Sequence, residues 1–376
     1  MSRIACATIH HFRHALPVPV PTVMGPLTHR PALLLRLEDG DGAHGWGEVW
    51  CNFPPDGDLH RARLAARILP AALAGMTAQT EGPFAQILRR MHRLILQSGE
   101  PGPVAQIASA ADIALHDLRA RRAGVPLAQM LGATRTDVPA YASGVSPDQA
   151  EGQIARMRRL GYRRFKQRIG FGPDEGLGAA EQTALALHPG EALMLDANQA
   201  WDIDTALARC TRLARLNLLW LEEPLPADAP LQDWQTLADA APIPLAAGEN
   251  LSGTAFAQAI GQRALSVIQP DICKWGGISA TLDIARAALA AGLRYCPHFL
   301  GGGVGLVASA HLLAAVGGDG MLEVDSSENP LLEVFSGRGL ALENDAFPLG
   351  PLPGLGYDPD IVAMKHLKVS ATEVAI

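Results

Sequence analysis

Cysteine is scarce in this 376-residue sequence: five residues (Cys6, Cys51, Cys210, Cys273, Cys296), odd in number, scattered, and without a C-x-x-C pair. That is the pattern of reduced, mostly buried thiols in a cytoplasmic protein, not of a disulfide scaffold. Positive charge is also short. Lys and Arg total 31 against 38 acids, a net charge of −7, so no basic surface is offered to nucleic acid or to an anionic membrane. No apolar run is long enough to span a bilayer; the nearest, Val304 to Val316, is too short and is broken by His311. The first 21 residues hold His10, His11 and His14 and no long apolar core, which argues against a secretory signal. There is no early Gly-rich dinucleotide fingerprint. The run Gly301-Gly-Gly-Val-Gly305 lacks a G-K-[ST] ending, so a tight strand-to-helix turn is preferred to a phosphate cradle.

What is present is an ordinary globular composition, 48% hydrophobic and 18% charged, in a chain long enough for two domains or a barrel with additions. Residues 1–50 read as strands, with Asp39-Gly-Asp-Gly42 as a hairpin turn between Ala32–Glu38 and Ala43–Trp50. The proline-rich stretch Leu16–Pro31 is expected to be a loop, of the lid type. Helical spacing runs from Leu59 to Leu96, broken at Gly75 and Gly82-Pro83. A further helix is expected over Gln106–Arg122, stopped by Gly124 and Pro126.

From Val138 onward, short apolar runs alternate with alanine-rich helices. The strand candidates are Val138–Ser143, Tyr162–Ile169, Ala192–Ala197, Leu218–Glu222, Ile243–Ala247, Leu265–Gln269, Leu293–Pro297 and Met321–Val324. Ser146-Pro147-Asp148 starts a helix over Gln149–Leu160. Such alternation predicts a parallel (β/α) barrel. The division expected is an α+β domain over 1–130, a barrel over 131–347, and a tail over 348–376 that returns to the first domain.

Three candidate strands end in acids. Asp196, Glu222 and Glu249 are spaced 26 and 27 residues apart, one strand-plus-helix unit each, so they converge on the barrel mouth. Carboxylate oxygens are what Mg²⁺ prefers, which makes a hard-metal site the first hypothesis. Strand alternation lets only one of Glu222 and Glu223 look inward, while Asn198 shares the parity of Asp196 and is its expected partner. In Arg164-Phe-Lys166-Gln-Arg168 the cations share one face, either inward or to solvent. Asp271 and His298 follow two later strands; an Asp that fixes a His tautomer makes an acid/base dyad. Glu323 closes the last strand.

With these residues set out, the chain resembles the enolase superfamily, in its mandelate racemase-like subgroup. The motifs are Gly45-Trp-Gly-Glu48, Ala111-Asp-Ile-Ala-Leu-His-Asp-Leu118, Asp196-x-Asn198, Trp220-Leu-Glu222-Glu-Pro224, Gly248-Glu249-Asn250, Pro270-Asp271, Lys274-x-Gly-Gly277, His298 and Glu323, in the family's order. The resemblance implies a (β/α)₇β modified TIM barrel capped by an α+β domain. It implies Mg²⁺ (with Mn²⁺ as a substitute) on Asp196, Glu222 and Glu249, and it selects Glu222 over Glu223. The shared step of that family is removal of a proton next to a carboxylate, giving a metal-held enediolate, with the counterpart of Glu323 bonded to the substrate carboxylate. It also implies a small-molecule carboxylate substrate and a homo-oligomer. Substrate choice would lie in loops 16–29 and 51–53, where Thr28, His29, Arg30 and Asn52 are candidate hydroxyl partners.

One departure matters. Where the family's second strand usually carries Lys-x-Lys, this chain has Lys166-Gln-Arg168. Arginine, with a pKa above about 12, is a poor base. A racemase needs competent groups on both faces of its substrate; a dehydratase needs fewer. In a syn elimination His298 takes the α-proton and then protonates the departing hydroxyl, while Lys166 and Arg168 bind the substrate. Acid-sugar dehydration is therefore the leading expectation. The alternatives are a racemase, epimerase or cycloisomerase using Arg168, Lys166 or Lys274 as second base, and an inactive binding relative.

Overall fold

A computed structural model of the chain describes residues 2–20, 22, 25–171 and 173–376. It begins with three antiparallel strands, β1 (Ile4–Val20), β2 (Leu27–Asp39) and β3 (His44–Val49). The helices α1 (Gly57–Leu73), α2 (Pro83–Ser98), α3 (Pro101–Ala123) and the short α4 (Leu127–Met130) follow. The loop expected over 16–31 is instead largely a hairpin arm: β1 runs on to Val20 and β2 begins at Leu27, with Ala15 opposite His29. Its prolines are tolerated because the outer neighbour of β1 pairs with it only as far as Phe12. Pro17 and Pro19 thus lie on an unpaired edge, where a missing N–H costs nothing. Positions 21, 23 and 24 of that expected loop lie outside the described residues.

Packing of the first sheet explains Gly45 and Gly47. A Cβ on either would collide with backbone of Ala114 or Ala110, so the two glycines let α3 lie directly on β3. Trp46 and Glu48, of opposite parity, face the other way. Helix α3 is buried on almost all sides, which is why alanine dominates it. Its Asp112 accepts the backbone N–H groups of Ile278 and Ser279, capping a barrel helix from outside.

The second part alternates β4 (Asp137–Val145), α5 (Ala150–Arg159), β5 (Arg164–Arg168), α6 (Leu177–Leu185), β6 (Ala192–Asp196), α7 (Ile203–Leu213), β7 (Leu221–Glu222), α8 (Leu231–Ala240), β8 (Leu245–Ala247), α9 (Ala255–Gln262), β9 (Val267–Ile268), α10 (Gly277–Ala290), β10 (Arg294–Tyr295), α11 (Gly303–Val316) and β11 (Leu322–Asp325). After these come α12 (Pro330–Phe335), β12 (Ala346–Pro348) and β13 (Lys368–Ala375). The barrel strands pair in parallel in the order β10-β9-β8-β7-β6-β5-β4-β11. At the seam between β10 and β11, the Met321 N–H donates to Cys296 Sγ at 3.4 Å. Tyr141, Met194, Trp220, Ala246, Val267, Cys296 and Met321, each on or next to a different barrel strand, form a small cluster of their own. This is a modified TIM barrel whose lumen is filled with side chains, as such barrels require. Strand β13 pairs with β1, bringing the end of the chain back to the first sheet. Among the described residues no helix is long and apolar enough to cross a membrane.

Candidate active site

Each barrel strand delivers its last residue to one end of the ring, and four acids arrive there from three consecutive units. Asp196 ends β6, Glu222 ends β7, Glu223 follows it, and Glu249 follows β8; all four side chains are buried or nearly so. Alternation predicts that only one of Glu222 and Glu223 turns inward, and the structure corrects this. Strand β7 is two residues long, and Glu223 adopts φ 39°, so the chain leaves the pleat and both carboxylates face the mouth. Glu223 accepts the Asn250 side-chain N–H at 2.9 and 3.0 Å. Burial raises its pKa well above the usual range, and the nearby charges of Glu249 and Asp196 raise it further. Burial likewise pushes Glu222 up to about 7 against the pull of Lys166.

Lys166 is the hub of this wall. Its parity on β5 sends it into the ring, where it is buried. Its Nζ donates to Glu222, lies 2.7 Å from Glu323 and 3.6 Å from Asp196. Burial works against its charge, but Glu222 and Glu323 overcome it and hold the ammonium firmly protonated. Deleting one partner of such a buried cluster costs on the order of 3–5 kcal/mol, because a charge is left uncompensated. Glu222 is fixed further by Gln269 Nε2 at 2.6 Å and Trp220 Nε1 at 3.2 Å. Glu323 accepts the hydroxyl of Ser143 and the backbone N–H of Phe299 at 3.0 Å.

Asp271 and His298 meet as a pair: Oδ2 of the acid is 2.8 Å from Nδ1 of the ring. The other nitrogen, Nε2, is 3.2 Å from Glu249 Oε2 and faces the acids. Burial disfavours the imidazolium, but Glu249, Glu323 and Asp271 together raise its pKa to about 10. Lys274 donates to the same Glu249 oxygen at 3.0 Å and to Asn250 Oδ1 at 2.8 Å, over the ring of Trp50. Lys274 and His298 therefore stand on one side of the cavity, not on opposing faces. Burial raises the Glu249 carboxyl, yet these two cations hold it down to about 2.

Across the ring, Arg168 ends β5 and donates to the Gly144 carbonyl at 3.2 Å. Burial, then the charge of Arg30, lowers its pKa. A cavity of about 560 Å³ lies between the two walls, lined by Asp196, Asn198, Glu249, Lys274, His298 and Arg168 among others. Asn198 holds Asp196 through its backbone, whose N–H lies 2.9 Å from Oδ1.

Three expected substrate contacts do not reach this space. Thr28 is exposed and meets His29 at 3.3 Å on the hairpin arm, and neither lines the cavity. Asn52 is buried and donates to the Leu300 carbonyl at 2.7 Å, supporting the segment that follows His298. From that stretch of β2 it is Leu27 and Arg30 that line the cavity. Sequence reasoning missed Glu223, Gln269 and Asp325. Only Glu223 had a signal, the short apolar run before it. The glycine run at 301–305 opens α11, and its anion site is already filled: Gly302 and Gly305 donate to Glu48.

In chemistry the acids suit a hard divalent ion, being all-oxygen donors from neighbouring strand ends. Among the described residues no three acidic, His or Cys groups meet as a ready-made ligand set. The carboxylates are turned instead onto the cations of the chain, Lys166, Lys274 and His298.

Comparison with known proteins places this geometry. Residues 5–132 match the family described as mandelate racemase / muconate lactonizing enzyme, N-terminal domain, and residues 149–363 match the enolase C-terminal domain-like family. The D-galactarolactone cycloisomerase of Agrobacterium fabrum is 29% identical over 98% of this chain and 99% of its own. A solved mandelate racemase/muconate lactonizing enzyme from Bordetella bronchiseptica is 45% identical, covers 97% of this chain and 99% of its own, and has a TM-score of 0.88. The L-talarate dehydratase of Polaromonas sp. JS666, solved with Mg and L-glucarate, is 26% identical over 100% of both chains, with a TM-score of 0.83.

Proposed function

The chain belongs to the mandelate racemase / muconate lactonizing enzyme family of the enolase superfamily and is an enzyme, and from that premise we propose that it is a Mg²⁺-dependent acid-sugar dehydratase. In this reading Asp196, Glu222 and Glu249 hold the ion, and His298 with Asp271 is the acid/base pair. When bound, Mg²⁺ supplies Lewis-acid stabilisation of negative charge on the substrate carboxylate. The remaining work falls to side chains. Asp271 takes the Nδ1 proton of His298 as a hydrogen bond and so leaves Nε2 to exchange protons with the substrate. Lys166 and Glu323 sit where a carboxylate would be bound, and Phe299 and Ser143 hold Glu323 in place.

The observation that carries dehydration over racemisation is that, among the described residues, no usable base faces His298. Lys166 is buried behind the cavity wall, its Nζ engaged by Glu222 and Glu323. Lys274 shares a Glu249 oxygen with His298 and so approaches from the same side. Arg168 remains, and even with its pKa lowered it is a binding cation near neutral pH. One acid/base residue is sufficient for a syn elimination, because the group that removes the α-proton can return a proton to the departing hydroxyl.

The test is proton NMR in D₂O with Mg²⁺ over a panel of acid sugars, α-hydroxy acids and N-acylated amino acids. The expected result is loss of the α-proton signal with formation of a 2-keto-3-deoxy acid. Deuterium exchange without loss of water would replace this reading with a racemase or epimerase.

A further inference from the structure

Lys274 and His298 are tied together twice. Asp271 holds the His298 ring through Oδ2 and, through Oδ1, accepts the backbone N–H groups of Cys273 at 2.7 Å and Lys274 at 3.2 Å. At their far ends the two side chains meet again on one oxygen, Glu249 Oε2. The ammonium of Lys274 therefore lies beside Nε2 of His298, and both side chains line the cavity.

Two further anchors hold that ammonium, and neither is one of the three acids that hold the ion in the dehydratase reading. Trp50 comes from the cap, its backbone N–H 3.5 Å from the carbonyl of Cys273. Its ring centre lies 4.7 Å from Nζ, within cation–π range. Asn250 accepts from Nζ at 2.8 Å through Oδ1. An ammonium can only donate, so Oδ1 must face it and the amide Nδ2 must face away. There Nδ2 donates to both oxygens of Glu223, at 2.9 and 3.0 Å. Glu223 is in place because the backbone turns left-handed at that residue, with φ 39°. Such a conformation persists only where its surroundings impose it. The second inward acid of 222–223 thus braces the amide that holds Lys274.

We propose that Lys274 binds the departing β-hydroxyl, and that Trp50 and Asn250, the latter braced by Glu223, are its positioning residues. The proposal rests on the dehydratase reading and adds a residue to it. In a syn elimination the α-proton and the hydroxyl leave from one face of the substrate, here the His298 face. Nε2 of His298 takes the α-proton as the Cα–H bond breaks, and returns a proton to the hydroxyl as the Cβ–O bond breaks. Water and an enol result, and the enol becomes the 2-keto acid. Lys274 keeps its own protons throughout. It donates a hydrogen bond to the departing oxygen, where negative charge develops in the transition state. Its place beside Nε2 suits this oxygen, which a cation on the opposite face would not reach.

The experiment follows two rates by proton NMR in D₂O, on the full chain with Mg²⁺ and an acid sugar that the wild type dehydrates. One is formation of the 2-keto-3-deoxy acid; the other is deuterium incorporation at Cα of unreacted substrate, which counts proton removals that revert without loss of the hydroxyl. Lys274→Met should slow product formation by roughly tenfold, the size of one hydrogen bond to a charged group, and raise the ratio of exchange to dehydration. Asn250→Ala and Glu223→Leu should move the ratio the same way by a smaller factor. Asn250→Asp, which keeps an acceptor for Nζ, should leave it near the wild-type value. Calorimetric Mg²⁺ binding should stay within a few-fold of wild type in Asn250→Ala. A lysine that only anchors the substrate would slow both rates together and leave the ratio fixed, which overturns the role and leaves the dehydratase standing. Mg²⁺ binding that weakens in step with the rate would also overturn it, by assigning the amide to the support of Glu249. Should Lys274→Met fail to fold, Asn250→Ala, at an exposed turn position, decides alone. A wild type that dehydrates no acid sugar removes the dehydratase reading and this role together.

Discussion

The carboxylate of Glu48, at the end of the first sheet, accepts the backbone N–H of Gly305, 2.8 Å away in the first turn of α11. Gly302 donates to the same side chain. One acid of the cap thus closes the start of the helix that follows His298, tying the N-terminal sheet to the acid/base segment of the barrel. The contact satisfies N–H groups that the helix cannot use itself and places negative charge at its positive end.

Burial raises the Glu48 pKa to about 7, with the Asp271 charge adding to it and the glycine N–H groups opposing. Since the folded value lies above the ordinary 4.5, the folded chain holds this proton more tightly than the unfolded chain does. The associated stability is fully present below about pH 4.5 and is lost as pH rises through 7. Glu48→Gln removes that dependence. The difference in unfolding free energy between wild type and variant should therefore shift in favour of the variant between pH 5 and 7.5, by at most about 3 kcal/mol. Denaturant melts across that range check it; a pH-independent difference would refute it.

His298→Asn should cut turnover by at least about 10²–10⁴-fold, the usual worth of a positioned acid/base group. It should leave Mg²⁺ binding within a few-fold of wild type. Steady-state rates and calorimetric Mg²⁺ titration give both readouts, and near-normal turnover would exclude His298 from the chemistry.

Arg168→Lys places a titratable amine at the end of β5, across the ring from His298. Dehydration should be impaired several-fold, while α-proton exchange from the second face should become detectable. Deuterium incorporation into unreacted substrate is the measurement. Unchanged dehydration together with no exchange would show that Arg168 does not touch the substrate.

Chelation with EDTA should abolish turnover, with full recovery on Mg²⁺ and partial recovery on Mn²⁺. Saturating Mg²⁺ should also raise the melting temperature, since a ligand at 100 times its dissociation constant stabilises the folded state by about 2.7 kcal/mol. Asp196→Asn and Glu249→Gln should each blunt that rise. A melting temperature indifferent to Mg²⁺ in the wild type would contradict the metal assignment.

Much of the architecture was legible in the residue order, because barrel strands are buried on both faces and read as short apolar runs between helices. Each of the eight expected runs from Val138 to Val324 contains or overlaps a parallel strand, and the polar residues at or beside the ends of these runs, such as Asp196, Glu222, Glu249, His298 and Glu323, mark the mouth. Local rules failed where neighbours decide. The prolines of 17 and 19 read as a loop, yet they lie in a strand because the edge beside them is unpaired. Alternation allowed one inward acid at 222–223, but a two-residue strand followed by a left-handed Glu223 turns both in.

The sequence by itself determined which chemical groups stand at the strand ends, since strand period and strand-to-strand spacing are local properties of the chain. Only the tertiary structure decided their pairings. Lys166 is locked among Glu222, Glu323 and Asp196, residues 30 to 157 positions away in the chain. Lys274 shares an oxygen with His298, and Arg30 crosses from the first sheet to meet Asp325. Whether a cation serves as a base, a strut or an anchor depends on which charges lie within a few ångströms of it. That distance is set by ring closure and by docking of the cap, and no local pattern records it.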